Sequence, residues 1–125
     1  MMDIEKFSIE KIVDLQLKAY NEGDYPLFAS CYDKNILSFD FETASIISHL
    51  SDSSFFDYYR QKFIENPDLH CEVTQRIVHG NLVVDQEIIS HFQSQVHKEM
   101  VIYQVDGDLI TKMWFSKVEP VRVPA

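Results

Sequence analysis

The sequence is short of the residues that mark several whole classes of protein. Its two cysteines, Cys31 and Cys71, lie far apart with neither a CxxC nor a Cys/His ligand spacing. That excludes a disulfide framework and a cysteine metal centre and leaves two reduced core thiols. Basic residues are few: 11 Lys and Arg stand against 20 Asp and Glu, a net charge of -9. They are scattered singly, so the basic stripe that nucleic acid or an anionic membrane would need is missing. No apolar run approaches the roughly 18 residues of a membrane span, and no charged-then-apolar leader precedes the first periodic segment, so a cytoplasmic location is expected. There is no HxH or HxxxH with a nearby carboxylate and no nucleophile elbow, so neither a metal, a cofactor nor a Ser-His-Asp site is expected. Small molecules and other proteins remain as partners.

What is present is apolar and aromatic. With 125 residues, 46% hydrophobic and 13% aromatic, the chain is expected to form a single domain over 1–125 with a substantial core, trailing into a loose tail from about 119. Ile9, Ile12, Val13, Leu17 and Tyr20 recur at helical spacing up to Gly23, and Gln16 falls inside that stripe, so its amide is expected to be buried. A short helix follows through YPLFASCY, with Asp24 as N-cap and Pro26 in its first turn. NILSFDF reads as a strand, SIISHL as a second short apolar piece, and SDSSFFDYYRQKFIENPD as a third helix stopped at Pro67. From Leu69 to Val118, β-branched and aromatic blocks broken at HGN and DGD predict a four-stranded meander. Helices first and antiparallel sheet second give the α+β class.

Hairpin chemistry fixes expected faces. A two-residue turn at Gly80-Asn81 pairs His79 with Leu82, Arg76 with Asp85 and Gln75 with Gln86. Taking the Arg76–Asp85 and Thr74–Glu87 side as the charged, outward one puts Gln75, Gln86, Ile77, Val84, Val73 and Ile88 on the inward side. A three-residue loop around DGD puts Glu99, Val101 and Tyr103 on one face with Thr111, Met113 and Phe115. Trp114, Ile89 and Val118 then point outward, an apolar surface expected to be covered by a second copy in a homodimer. The histidines fall at strand ends, on the charged face or, for His49, at the rim.

The inward polar set is therefore Gln16, Gln75, Gln86, Glu99, Tyr103 and Asp40. A sparse set of converging amides and carboxylates in an apolar interior is the lining of a small-molecule pocket, or else a satisfied internal network with no ligand. The order of AYNEGDYPLFASCYDKNILSFDF, SSFFDYY and YQVDGDLITKMWF resembles the nuclear-transport-factor-two-like superfamily, and within it the ketosteroid-isomerase-like or SnoaL-like group. The resemblance covers nearly the whole chain. It implies a cystatin-like, cone-shaped mixed sheet packed on three helices and a homodimer through the outer sheet face, on a scaffold that hosts isomerases, dehydratases, cyclases, hydrolases and non-catalytic binding modules. Carried over residue by residue, the isomerase's general base falls on Asp40 and its supporting third-helix tyrosine on Tyr59. The oxyanion-hole tyrosine falls on Gln16, and the protonated aspartic acid beside it on Val101. Losing one oxyanion donor typically costs about 10²- to 10³-fold in rate, so efficient steroid isomerisation is not expected. The expected catalytic set is Asp40, Gln16 and Tyr59, and the expected pocket is Gln75, Gln86, Glu99, Val101, Tyr103, Met113 and Phe115, binding a small hydrophobic carbonyl compound. The alternative is a non-catalytic ligand-binding or dimerisation module.

Overall fold

The protein, described as a computed structural model over residues 4–116 and 119–121, begins with helix α1 (Ile4–Glu22). Its buried stripe is Ile9, Val13, Gln16, Ala19 and Tyr20. Gly23, at φ +68°, ends it in the left-handed conformation that costs glycine least. Helix α2 (Tyr25–Ser30) is capped by the Asp24 side chain, which accepts the Leu27 N–H at 3.1 Å, and carries Pro26 in its first turn. Helix α3 (Asp52–Glu65) buries Phe55, Tyr59, Lys62 and Phe63, the i, i+4, i+7, i+8 positions of one face. The helices meet in an aromatic cluster around Phe28, whose ring lies 4.9 Å from Tyr32, 5.0 Å from Tyr59 and 5.1 Å from Phe63. Such pairs add about 0.5–1.5 kcal/mol each to the burial of their area.

These helices pack on an open mixed sheet, giving an α+β fold. Strands β1 (Tyr32–Asp40), β2 (His70–His79), β3 (Leu82–Phe92), β4 (Gln95–Asp106) and β5 (Leu109–Phe115) lie in the order β1-β5-β4-β3-β2. The β1–β5 pair is parallel and the others antiparallel. SIISHL forms an isolated bridge, Ile46 to Phe39, and a 3-10 turn at Ser48–Leu50. Ser51 pins this loop to β1: its hydroxyl accepts the Ser38 N–H at 2.9 Å and donates to the Ile47 carbonyl at 2.9 Å. The expected loose tail is corrected at its start, because β6 (Glu119–Pro120) pairs with β4 and the Val121 N–H donates to the Val96 carbonyl.

The first hairpin has the expected turn and pairs His79–Leu82, Arg76–Asp85 and Gln75–Gln86. Two expectations about it are overturned. A bulge between Val73 and Gln75 makes Val73, not Thr74, the partner of Glu87, and Glu72, not Val73, the partner of Ile88. More consequentially, the charged face is the inner one. Asp85 is 0% exposed and Glu87 4%, whereas Ile77 is 65% exposed and Gln75 lies in solvent. The reason is that Arg76 satisfies Asp85 completely. Its Nε and Nη2 donate to the two carboxylate oxygens at 2.7 and 2.9 Å, and Nη1 donates to Asp14 on α1 at 2.7 Å. A bidentate, fully paired guanidinium can lie under a helix where a lone charge could not. Ile89, expected outward, is inward and 5% exposed. The last hairpin turns in two residues, not three, Asp106 pairing with Leu109, and an irregularity between Gln104 and Val105 then keeps the expected facing while shifting the partners, so that Tyr103 lies opposite Met113 and Val101 opposite Phe115. Trp114 lies on the outer face, stacked on Phe39 at 5.4 Å, while Val118 lies outside the described residues.

Candidate functional site

Between the helices and the inner sheet face are two joined spaces with opposite character. The inner one has a volume of about 30 Å³, room for a water or two, and is bounded by a continuous hydrogen-bonded chain. Tyr32 donates to Gln16 Oε1 at 2.7 Å, Gln16 Nε2 donates to the Val13 carbonyl at 3.0 Å and to the Tyr103 hydroxyl at 3.4 Å, and Tyr103 donates to Glu87 Oε2 at 2.9 Å. Each link comes from a different element, α1, β1, β4 or β3, so the chain closes the core while satisfying every polar group on it. Glu87 ends it. Burial, reinforced by Glu99 directly across the β3–β4 ladder, pushes its carboxyl up to about 8. It is therefore mostly neutral near pH 7.

The outer space holds about 320 Å³, at the small end of ligand pockets. Tyr59, Lys62, Ile89, Glu99 and Phe115 line both spaces; Asp40, His49, Tyr58, Phe92 and His97, with Ile47, Leu50 and Ser116, line the outer one alone. Here the polar groups are not consumed by one another. Burial raises the Glu99 carboxyl above its ordinary value, partly offset by Lys62. Burial lowers the Lys62 ammonium, partly offset by Glu99. Among the described residues neither makes a direct hydrogen bond or ion pair, and His97 Nε2 is buried here without a partner; at the inner space the Tyr20 hydroxyl is likewise unpartnered. Lys62 Nζ instead sits 4.3 Å from the Phe92 ring centre and 5.3 to 5.9 Å from those of Tyr59, Tyr20 and Tyr58.

Asp40 is the last residue of β1, on the same side as the buried Ile36 and Ser38, and half-buried at the cavity wall. Its Oδ1 accepts the Glu42 and Thr43 N–H groups at 3.0 Å each and the Thr43 hydroxyl at 3.3 Å. Oδ2 has no donor among the described residues. The same acid thus caps the turn that follows its strand and lines the outer space.

Of the expected site residues, Gln16, Tyr103 and Met113 lie at the inner space, Asp40 at the outer, and Tyr59, Glu99 and Phe115 at both. Three are corrected. Gln75 and Gln86 pair on the outer sheet face, because the hairpin's charged side turned inward. Val101 is 1% exposed but lines neither space, lying in register between Asp85 on β3 and Phe115 on β5. Reading the histidines as rim or surface residues missed that His97 reaches the cavity. Lys62 was missed too, although its place three residues after Tyr59, on the buried stripe of α3, was a usable signal. Glu87 carried none, since its burial depends on the hairpin's facing. Among the described residues no group of three or more His, Cys, Asp or Glu could hold a metal ion, and no helix is long and apolar enough to cross a membrane.

This α+β fold is shared with solved structures described as cystatin-fold and NTF2-like proteins. No protein-family model and no curated protein matches the sequence. Solved structures do match in shape. A cystatin-fold protein from Novosphingobium aromaticivorans, itself uncharacterised, superposes with a TM-score of 0.73 at 15% identity, covering 86% of this chain and 96% of that one. A protein from Kribbella flavida provisionally assigned as a ketosteroid isomerase gives 0.71 at 13% identity, covering 97% and 84%. IdmH from Streptomyces antibioticus, provisionally a polyketide cyclase, gives 0.68 at 12% identity, covering 86% and 89%. At such identities the likeness shows the fold and leaves the chemistry to the residues present.

Proposed function

We propose that the protein binds a small hydrophobic carbonyl compound in the outer space and moves a proton on the carbon beside that carbonyl, with Asp40 as proton acceptor and Glu99 as hydrogen-bond donor to the carbonyl oxygen. The observation that carries this reading is the convergence, on one largely apolar cavity of about 320 Å³, of two carboxyls in contrasting settings. Asp40 is half-exposed with one free oxygen. Glu99 is held toward its neutral form by burial. Such a pair divides acceptor and donor roles. Gln16, spent in the inner chain, orients Tyr32 and Tyr103 and does not reach the ligand, and Val101 has no polar group to offer, so a steroid-isomerase oxyanion hole is not the basis of the activity. The apolar outer face around Trp114 and Phe39 suits a second copy of the chain. Light scattering at micromolar concentration should give a dimer, and a 14.7 kDa monomer would reject that part.

The test is exchange of ligand hydrogens in D₂O. A panel of small ketones and aldehydes carrying phenyl or branched alkyl groups is first screened for binding, and binders are followed by NMR for deuterium uptake beside the carbonyl. Catalysed uptake by the wild type and its loss in Asp40→Asn, with binding kept, is the expected result. Binding without catalysed uptake would leave a binding module, and no binding across the panel would reject the carbonyl pocket.

A further inference from the structure

Lys62 is the charged group the reading above leaves unused, and its placement is unusual. It is 9% exposed on the buried face of α3, lines both the inner and the outer space, and has four aromatic rings around its Nζ in place of a counter-ion. A lysine that served only as a surface charge would reach water, and one that served only to hold the fold would be paired. We propose that Lys62 is a nucleophilic amine that forms a protonated imine with a carbonyl ligand in this cavity. The inference rests on the carbonyl-pocket reading and deepens it.

The step balances with groups already present. The neutral amine adds its lone pair to the carbonyl carbon, a proton passes from nitrogen to oxygen, and a carbinolamine results. Glu99, facing the same space from β4, gives its proton to the carbinolamine hydroxyl, which leaves as water while the nitrogen lone pair closes the C=N bond. The products are a protonated imine, one water and the Glu99 carboxylate. Asp40 can then take the adjacent carbon-bound proton, its electron pair flowing to the iminium nitrogen.

This accounts for a gap in the site. Charge developing on a carbonyl oxygen needs strong donors, and with Gln16 and Val101 supplying none, Glu99 is the one donor assigned to it. Charge flowing into an iminium nitrogen needs none. The electrostatic setting agrees. Burial lowers the proton affinity of the Lys62 amine, outweighing the rings, which favour the ammonium, and Glu99 on β4, which also favours it. The titratable groups nearest it on α1 and α3 are Tyr20, Tyr58 and Tyr59, each with its hydroxyl held more firmly protonated by burial, so none is a competing anion.

The experiment is reductive trapping with 3-phenylpropanal and cyanoborohydride at pH 7, followed by peptide mapping. Hydride converts the imine to a stable secondary amine carrying the mass of the aldehyde less one oxygen. Binding of 3-phenylpropanol, which cannot form an imine, is measured in parallel. The expected result is a labelling rate at Lys62 at least about tenfold above that at any other lysine, suppressed by saturating 3-phenylpropanol and absent in Lys62→Arg, with Lys62→Gln as the second variant should the arginine fail to fit. If 3-phenylpropanol binds but label spreads over surface lysines without preference for Lys62, the imine is rejected and the pocket stands. If neither compound binds, both fail. The mapping on the wild type alone decides this even if both variants misfold.

Discussion

The inner and outer ends of one interior have been built on opposite rules. At the inner end, Tyr32, Gln16, Tyr103 and Glu87 hand hydrogen bonds to one another around a space that admits a water or two. At the outer end, Asp40, Lys62, His97 and Glu99 face about 320 Å³, and the last three make no direct polar bond to their neighbours through side-chain N or O atoms among the described residues. Buried polar groups are retained by folding only when satisfied. A closed network is therefore part of the core, and an open one marks where something else is meant to complete it. The two ends share Tyr59, Glu99 and Lys62, which line both spaces.

The contrast predicts that substitutions toward the inner end cost stability and those at the outer end cost binding or turnover. The largest effect is expected at the ion pair that ties β2 and β3 to α1. Arg76→Met leaves the fully buried Asp85 uncompensated and should cost about 3–5 kcal/mol in denaturant unfolding.

Next is the pH response of Glu87. Its folded proton affinity is raised from near 4.5 to about 8, so the folded state keeps a proton that the unfolded chain gives up. The stabilising contribution of that proton is complete below about pH 4.5 and is lost as pH rises through about 8. Glu87→Gln keeps the Tyr103 donor's acceptor and removes the titration. Its melting temperature should exceed the wild type's at pH 8 by several degrees, and the difference should shrink toward pH 5. Equal pH slopes would show that Glu87 is not held neutral.

A smaller effect follows from opening one link. Tyr32→Phe leaves Gln16 Oε1 without its donor and should cost about 1–3 kcal/mol. At the outer end the sign changes: Lys62→Met exchanges an unpaired, desolvated ammonium for an apolar chain of similar length and should be neutral or stabilising by up to about 1 kcal/mol. Asp40→Asn keeps the Oδ1 acceptor for its turn and should alter stability by under about 1 kcal/mol. A loss of several kcal/mol in either outer variant would erase the contrast.

The sequence made the fold readable because its signals are local: Asp24 before Pro26, Gly23 after a periodic helix, and HGN and DGD between β-branched blocks. Asp40 and Glu99 could be picked out as inward carboxyls from strand parity within their own segments. The facing of β2 and β3 could not. Both sides of that hairpin carry apolar residues, and the choice between them rests on Arg76 meeting Asp14 of α1, 62 positions away. Reading the ion pair as a surface feature inverted the hairpin, placing Gln75 and Gln86 inside and hiding Glu87. The bulge between Val73 and Gln75 leaves no mark in the sequence either, since Thr74 is an ordinary strand residue.

The central claim is that the outer space, and not the inner end or the outer sheet face, receives a small hydrophobic carbonyl compound. Methyl-detected NMR of isoleucine-, leucine- and valine-labelled protein during titration with 3-phenylpropanol, the unreactive analogue, reports on all three places at once. The account predicts saturable shifts at Ile47, Leu50 and Ile89, which line the outer space, with Val13 in the core and Ile77 on the outer face unmoved. Shifts confined to Ile77, or no saturable shift at Ile47, Leu50 and Ile89, would contradict it.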